Sequence, residues 1–141
     1  MVLKTILVPL DSSALSETVI QILSELQLQP ETTVVLAHVI TPEGSASTAA
    51  DRPSTNPDEF PYRQIEKQLQ AYQSNLPCKS ELEIVRGDPA EEIIRLANIH
   101  QTDLIVLGNR GLTGMKRILQ GSVSSQVVAD APCSVMVVKS S

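Results

Sequence analysis

Three glycines and a serine carry the clearest chemistry in this 141-residue chain. They read Gly108-Asn109-Arg110-Gly111, then nine residues, then Gly121-Ser122. Glycine lets a backbone turn sharply and lie close against a ligand. Gly121 and Ser122 read as the start of a helix, where unpaired N–H groups and the positive end of the dipole attract an anion. Arg110, Lys116 and Arg117 add three positive charges, and no Asp or Glu occurs from Leu104 to Ala129. Together these features suit a phosphate-bearing ligand. The spacing matches neither a Walker P-loop, which needs G-x4-G-K-[ST], nor the GxGxxG dinucleotide fingerprint.

Other reactive residue types form no constellation. There is no GxSxG nucleophile elbow, and no carboxylate pair stands out as an acid/base couple, so no catalytic residue is assigned. His38 lies inside an expected strand and His100 at a helix end, and both read as structural. Cys78 and Cys133 are far apart and form no CxxC pair. They read as reduced structural thiols, with no disulfide framework and no metal site built from protein ligands.

The elements that must position the glycine signature follow from hydrophobic spacing. Residues 3–9 (LKTILVP) form a β-prone run closed by Pro9. Ser12 and Ser13 can cap a helix carrying Leu15, Val19, Ile22, Leu23 and Leu26, which Pro30 stops. Residues 33–39 (TVVLAHV) form a second strand. Thr41 to Pro61 holds four prolines and no Ile, Leu or Val, and reads as a variable, flexible loop. Ile65, Leu69, Tyr72 and Leu76 return to helical spacing, ending at Pro77. Residues 81–86 alternate polar and apolar, as a strand near a sheet edge does. Asp88 is a candidate N-cap, with Pro89 at the first helical position and Glu91 at the capping-box position, ahead of Ile93, Ile94 and Ala97. Residues 103–107 (DLIVL) suit a strand buried on both faces. Gly108 to Gln120 is a basic loop with room for a short helical turn, Ser122 to Ala129 a helix, and Ser134 to Val138 the last strand.

Strict alternation of strand and helix implies an α/β fold: one domain over 1–141, built on an open five-stranded parallel sheet with helices on both faces. In such sheets ligands lie outside the carboxyl ends of the strands, where the winding reverses. The candidate positions are therefore Pro9, Leu10 and Asp11 after the first strand, Val39 and Ile40 after the second, and Leu107 and Gly108 after the fourth.

The pattern G-x2-G-x9-G-[ST], filled by Gly108, Gly111, Gly121 and Ser122, resembles the ATP-binding signature of the universal stress protein family. The opening ILVPLD, the Gly87-Asp88-Pro89 junction, the segment DLIVLGNRG and the ending GSVSSQVVADAPCSVMVVK resemble the same family. The likeness covers the chain apart from residues 41–61. It implies a Rossmann-like, adenine nucleotide α-hydrolase-like fold with strand order 3-2-1-4-5. By position, Asp11 would contact the nucleoside, and Val39 would line the adenine pocket. Gly108, Arg110 and Gly111 would border the ribose and phosphates. Gly121, Ser122, Val123 and Ser124 would hold the phosphates. Arg110 stands where some members have His. The implied ligand is ATP, ADP or AMP, with Mg²⁺ carried on its phosphates. The resemblance also implies a homodimer through the last strand, at Val135, Met136, Val137 and Val138.

Composition narrows the partners. The net charge is −5 and the pI about 4.9, which disfavours a nucleic-acid-coating protein. Residues 104–129 carry +3, so the rest sums to −8. Local charge invites one compact phosphate ligand while global charge repels a polyanion. Aromatics are 2%, so base-stacking platforms are lacking, and an adenine would rest between aliphatic side chains such as Val39 and Leu107. No apolar run approaches the roughly 18 residues of a membrane span, and Met1–Leu10 reads as the first strand of a cytoplasmic protein rather than a signal sequence. Three functions fit: a nucleotide-responsive stress or signalling module, a slow ATP hydrolase or phosphotransferase, and a nucleotide-free interaction or chaperone-like dimer using the 41–61 loop. The first accounts for the whole signature.

Overall fold

A computed structural model describes residues 3–10, 14–41, 59–108 and 117–139, with the backbone alone for 14–15, 59–61 and 117–122. Among these residues the elements run β1 (Thr5–Pro9), α1 (Ala14–Glu25), β2 (Thr33–Ile40), α2 (Glu59–Gln73), β3 (Lys79–Arg86), α3 (Pro89–Ile99), β4 (Leu104–Gly108), α4 (Arg117–Asp130) and β5 (Ser134–Val138). The strands form one sheet in the order β3-β2-β1-β4-β5, and every pairing is parallel. This is the expected order. A parallel sheet must be covered on both faces, and the side-chain periods divide accordingly.

On one face Leu7, Val35, Ala37, Val39, Ile105 and Leu107 pack against Ala90, Ile93, Leu96 and Ala97 of α3 and Val123 and Val127 of α4. On the other, Ile6, Val8, Val34, Leu36, Leu104 and Val106 pack against Val19 and Leu23 of α1 and Leu69 of α2. Strand residues alternate between the two sets, as a period of two requires. Each fully buried Leu or Ile contributes about 1.5–3 kcal/mol, and among the described residues Tyr72 is the aromatic that packs, partly buried, against the second set. β3 lies at an edge, as its alternation predicts, and its residues are half-buried or exposed.

Local signals set most boundaries. Asp88 caps α3, its carboxylate accepting the N–H of Glu91 at 3.1 Å, and Pro89 follows at the first helical position. α3 ends where Thr102 N–H reaches Ala97 O at 2.9 Å and Gln101 N–H reaches Asn98 O at 3.3 Å, with Gln101 at φ 50°.

Two helix starts differ from expectation. α2 begins at Glu59, inside the segment read as loop, because Pro61 falls in the first turn, where no intrahelical N–H bond is required. α4 begins at Arg117 rather than Ser122. Ile118, Leu119 and Gln120 have ordinary helix propensity, and one interior glycine costs only about 1 kcal/mol, offset by the packing of Val123 and Val127. Residues 42–58 of that loop lie outside the described residues.

Candidate functional site

The sheet opens where its winding reverses. From β1 the chain winds outward to β2 and β3 with α1 and α2 on one face, then crosses to β4 and β5 with α3 and α4 on the other. The ladder between β1 and β4 pairs Ile6 with Leu104 and Leu7 with Ile105, and goes no further. The flanking ladders continue, to Pro9–Ala37 on one side and Gly108–Val138 on the other. Pro9, with no N–H to offer, closes β1 at this point. Beyond Leu7 and Ile105 no ladder pairing joins β1 to β4, and this is the switch point at which open α/β sheets take their ligands.

Several expected site residues converge there. Val39, Leu107 and Val123 belong to one apolar cluster. Val39 and Val123 keep a little exposure, 8% and 7%, whereas Leu107 is fully buried. Leu107 therefore lies deep in this cluster, and Val39 and Val123 lie nearer its surface. Pro9 and Gly108 are buried at the ends of their strands, and Ser124 is buried beside Val123 on α4. Asp11, Arg110, Gly111 and Lys116 lie outside the described residues.

Gly121 and Ser122 are described as backbone in the second turn of α4. The amides left free by an α-helix are those of its first turn, and α4 is already helical from Arg117 onward. Gly121 and Ser122 were expected at the helix start. The structure places them one turn inside it.

Backbone hydrogen bonds fix the rim. Leu10 N–H donates to Ala37 O at 2.7 Å, and Gly87 N–H to Ile40 O at 3.1 Å. His38 Nδ1 lies 2.9 Å from Leu10 O. A carbonyl only accepts, so Nδ1 carries the proton. Sequence reasoning left His38 out of the site. The available signal was a single polar residue near the end of the apolar run TVVLAHVI.

Other features stand apart from this rim. Cys78 and Cys133 immediately precede β3 and β5 at the opposite end of the sheet, and burial pushes both thiols above their ordinary values, aided for Cys133 by the Asp103 carboxylate. They pack on opposite faces of the sheet. A pocket lined by Glu17, Ile20, Gln21, Ser24, Tyr72 and Asn75 lies between α1 and the end of α2. Among the described residues no group of three or more His, Cys, Asp or Glu is placed to hold a metal, and no helix is long and apolar enough to cross a membrane.

Known proteins share this architecture. The chain is 48% identical over 61 residues to the universal stress protein MJ0531 of Methanocaldococcus jannaschii, covering 43% of this chain and 36% of that one. In this and two further such alignments the chain spans 36% to 44% of the length of the curated relative. Solved structures align over far more. That of the hypothetical protein MJ0577 has a TM-score of 0.80 at 27% identity, covering 100% of this chain and 99% of that one. A universal stress protein in complex with cAMP has a TM-score of 0.70 at 22% identity over the full length of both chains. One from Archaeoglobus fulgidus in complex with dAMP has a TM-score of 0.67 at 18% identity, covering 97% and 98%. The family model described as the universal stress protein family matches residues 3–139. With a match over all but two residues at each end, the chain belongs to the universal stress protein family.

Proposed function

We propose that this protein binds an adenine nucleotide, ATP in the first instance, at the opened carboxyl ends of β1 and β4, and acts as a nucleotide-responsive stress or signalling module. The observation that carries the reading is the β1–β4 ladder ending at Leu7 and Ile105, beside the surface offered by Val39 and Val123. The base rests against those aliphatic side chains, Asp11 meets the nucleoside, and Arg110, the signature glycines, Ser122 and Ser124 meet the phosphates. Complexes of fold relatives with cAMP and dAMP support an adenine-bearing ligand. Mg²⁺ accompanies the ligand on its phosphates. Because α4 begins at Arg117, backbone contact at Gly121 and Ser122 requires the first turn of α4 to open around the phosphates.

The working unit is a cytoplasmic homodimer of one domain spanning 1–141, paired through β5. Two thiols held on opposite faces of the sheet suit a reducing compartment, since they cannot meet in a disulfide without unfolding.

Thermal unfolding with and without nucleotide tests the reading. At a free concentration one hundred times Kd, ligand stabilises the folded state by about 2.7 kcal/mol, which raises Tm by several degrees in a domain of this size. Arg110→Ala and Gly121→Val should shrink that rise, and chelation of Mg²⁺ should shrink it for ATP more than for AMP. No rise with ATP, ADP, AMP or cAMP at millimolar concentration would refute nucleotide binding.

A further inference from the structure

We propose that His38 is a positioning residue for the nucleotide site, holding the exit of β1 so that Asp11 is delivered to the ligand; the proposal rests on the nucleotide reading above. β2 alternates its side chains, with Val35, Ala37 and Val39 facing α3 and α4, and Val34 and Leu36 facing α1 and α2. His38 continues the second row. Its half-buried ring therefore lies on the opposite face of the sheet from Val39 and supports the site from behind.

From there Nδ1–H donates to Leu10 O at 2.9 Å, while Leu10 N–H donates to Ala37 O at 2.7 Å. Both backbone polar groups of Leu10 are thereby held by consecutive residues of β2. The β1–β2 ladder ends in register at Pro9–Ala37, so the bond to Leu10 O is a side-chain extension of that ladder by one residue. Leu10 is also buried, at 3% exposure, and a buried carbonyl without its donor is costly. The residue that follows it in the chain is Asp11. With Leu10 held at its N–H, its C=O and its side chain, the end of β1 is fixed before any ligand arrives. The binding energy of Asp11 then need not be spent on ordering the end of that strand.

The test uses two polar replacements of opposite reach. The Nδ2 of Asn stands where Nδ1 stands in His, two bonds from Cβ, whereas the amide of Gln sits one bond further out. His38→Asn keeps a donor for Leu10 O, and His38→Gln misplaces it. ATP affinity is measured by calorimetry on the full chain, at a temperature where circular dichroism shows each variant folded. The expected result is near wild-type affinity for His38→Asn and a loss of about tenfold for His38→Gln, the worth of one hydrogen bond. In an Asp11→Ala background the same His38→Gln change should cost nothing further, because the residue being positioned is gone.

Equal affinity in wild type, His38→Asn and His38→Gln overturns the proposal and leaves nucleotide binding standing. So does an equal loss in both variants, or a loss that persists undiminished without Asp11. Absence of binding by the wild-type protein overturns the nucleotide reading and the positioning role with it.

Discussion

Asp103 and Thr5 hold each other reciprocally: Asp103 N–H donates to Thr5 O at 2.9 Å, and Thr5 N–H donates to the Asp103 carboxylate at 3.1 Å. The same carboxylate oxygen accepts Lys4 N–H at 2.9 Å. These bonds lengthen the β1–β4 ladder by one residue at its amino end, below Ile6–Leu104. The ladder that ends at Leu7–Ile105 is thus clamped at its amino end by a side chain. Asp103→Ala removes the acceptor of two backbone N–H groups and should cost about 1–3 kcal/mol in urea unfolding. Asp103→Asn keeps an oxygen and should cost less. Hydrogen exchange should quicken first at Lys4 and Thr5.

Gly87 closes β3 at φ +145°, and a side chain placed there would meet Glu92 Cγ at 3.0 Å. Its N–H also donates to Ile40 O on the rim. Gly87→Ala therefore incurs backbone strain of about 1–3 kcal/mol as well as the contact. Glu92→Ala removes the contact and leaves the strain, so the double variant should recover only part of the loss. Full recovery would mean that the backbone conformation costs nothing.

Gln101 occupies the left-handed position that ends α3, with φ 50° and the paired bonds Thr102–Ala97 and Gln101–Asn98. Glycine is the usual residue there because it has no Cβ to crowd the carbonyl. Gln101→Gly should raise stability by about 0.5–1 kcal/mol, the relief of the left-handed strain outweighing the added freedom of the unfolded chain. An unchanged or lowered Tm would place the strain elsewhere.

The parts of this fold that the sequence made legible are those written in local periods and caps. The buried runs ILVP, TVVLA and LIVLG, the Asp88-Pro89 helix start and the polar alternation of β3 all appear where their patterns put them. Family resemblance supplied the strand order, which no local pattern contains. The start of α4 was misplaced because Gly121 reads as a breaker, whereas tertiary packing of Val123 and Val127 carries the helix through it. The contacts of His38 and Asp103 were not legible for a different reason. Their partners, Leu10, Lys4 and Thr5, lie 28 to 99 residues away, so the bonds exist only once strands distant in sequence are neighbours.

Burial pushes the thiols of Cys78 and Cys133 above their ordinary values. As pH rises through the ordinary thiol range, the unfolded chain loses these protons first while the folded chain keeps them. The unfolded state then binds fewer protons, and stability falls with rising pH. The double variant Cys78→Ala, Cys133→Ala should show a shallower fall between about pH 8 and 10. Alkylation of the folded wild type at neutral pH should be slow and should accelerate on addition of urea. Asp103→Asn should speed alkylation of Cys133 and leave Cys78 unchanged, since only Cys133 feels that carboxylate.

The two edges of the sheet are protected differently, and this predicts which one pairs. β3 carries Lys79, Glu81, Glu83 and Arg86, charges that discourage strand addition. β5 reads SVMVV, without a charge, and Val135, Met136 and Val137 are half-buried. An uncharged edge of β-branched residues is a template for another strand unless something covers it. A second copy meeting β5 about a two-fold axis would supply that cover and pair the backbone groups of the edge. Sedimentation should therefore give a mass of about 30 kDa, twice the 15.2 kDa of the chain. Val135→Lys or Val137→Lys should dissociate the dimer, with circular dichroism checking that each protomer remains folded, while Glu81→Lys on the opposite edge should not. Dissociation by Glu81→Lys alone would assign the interface to β3.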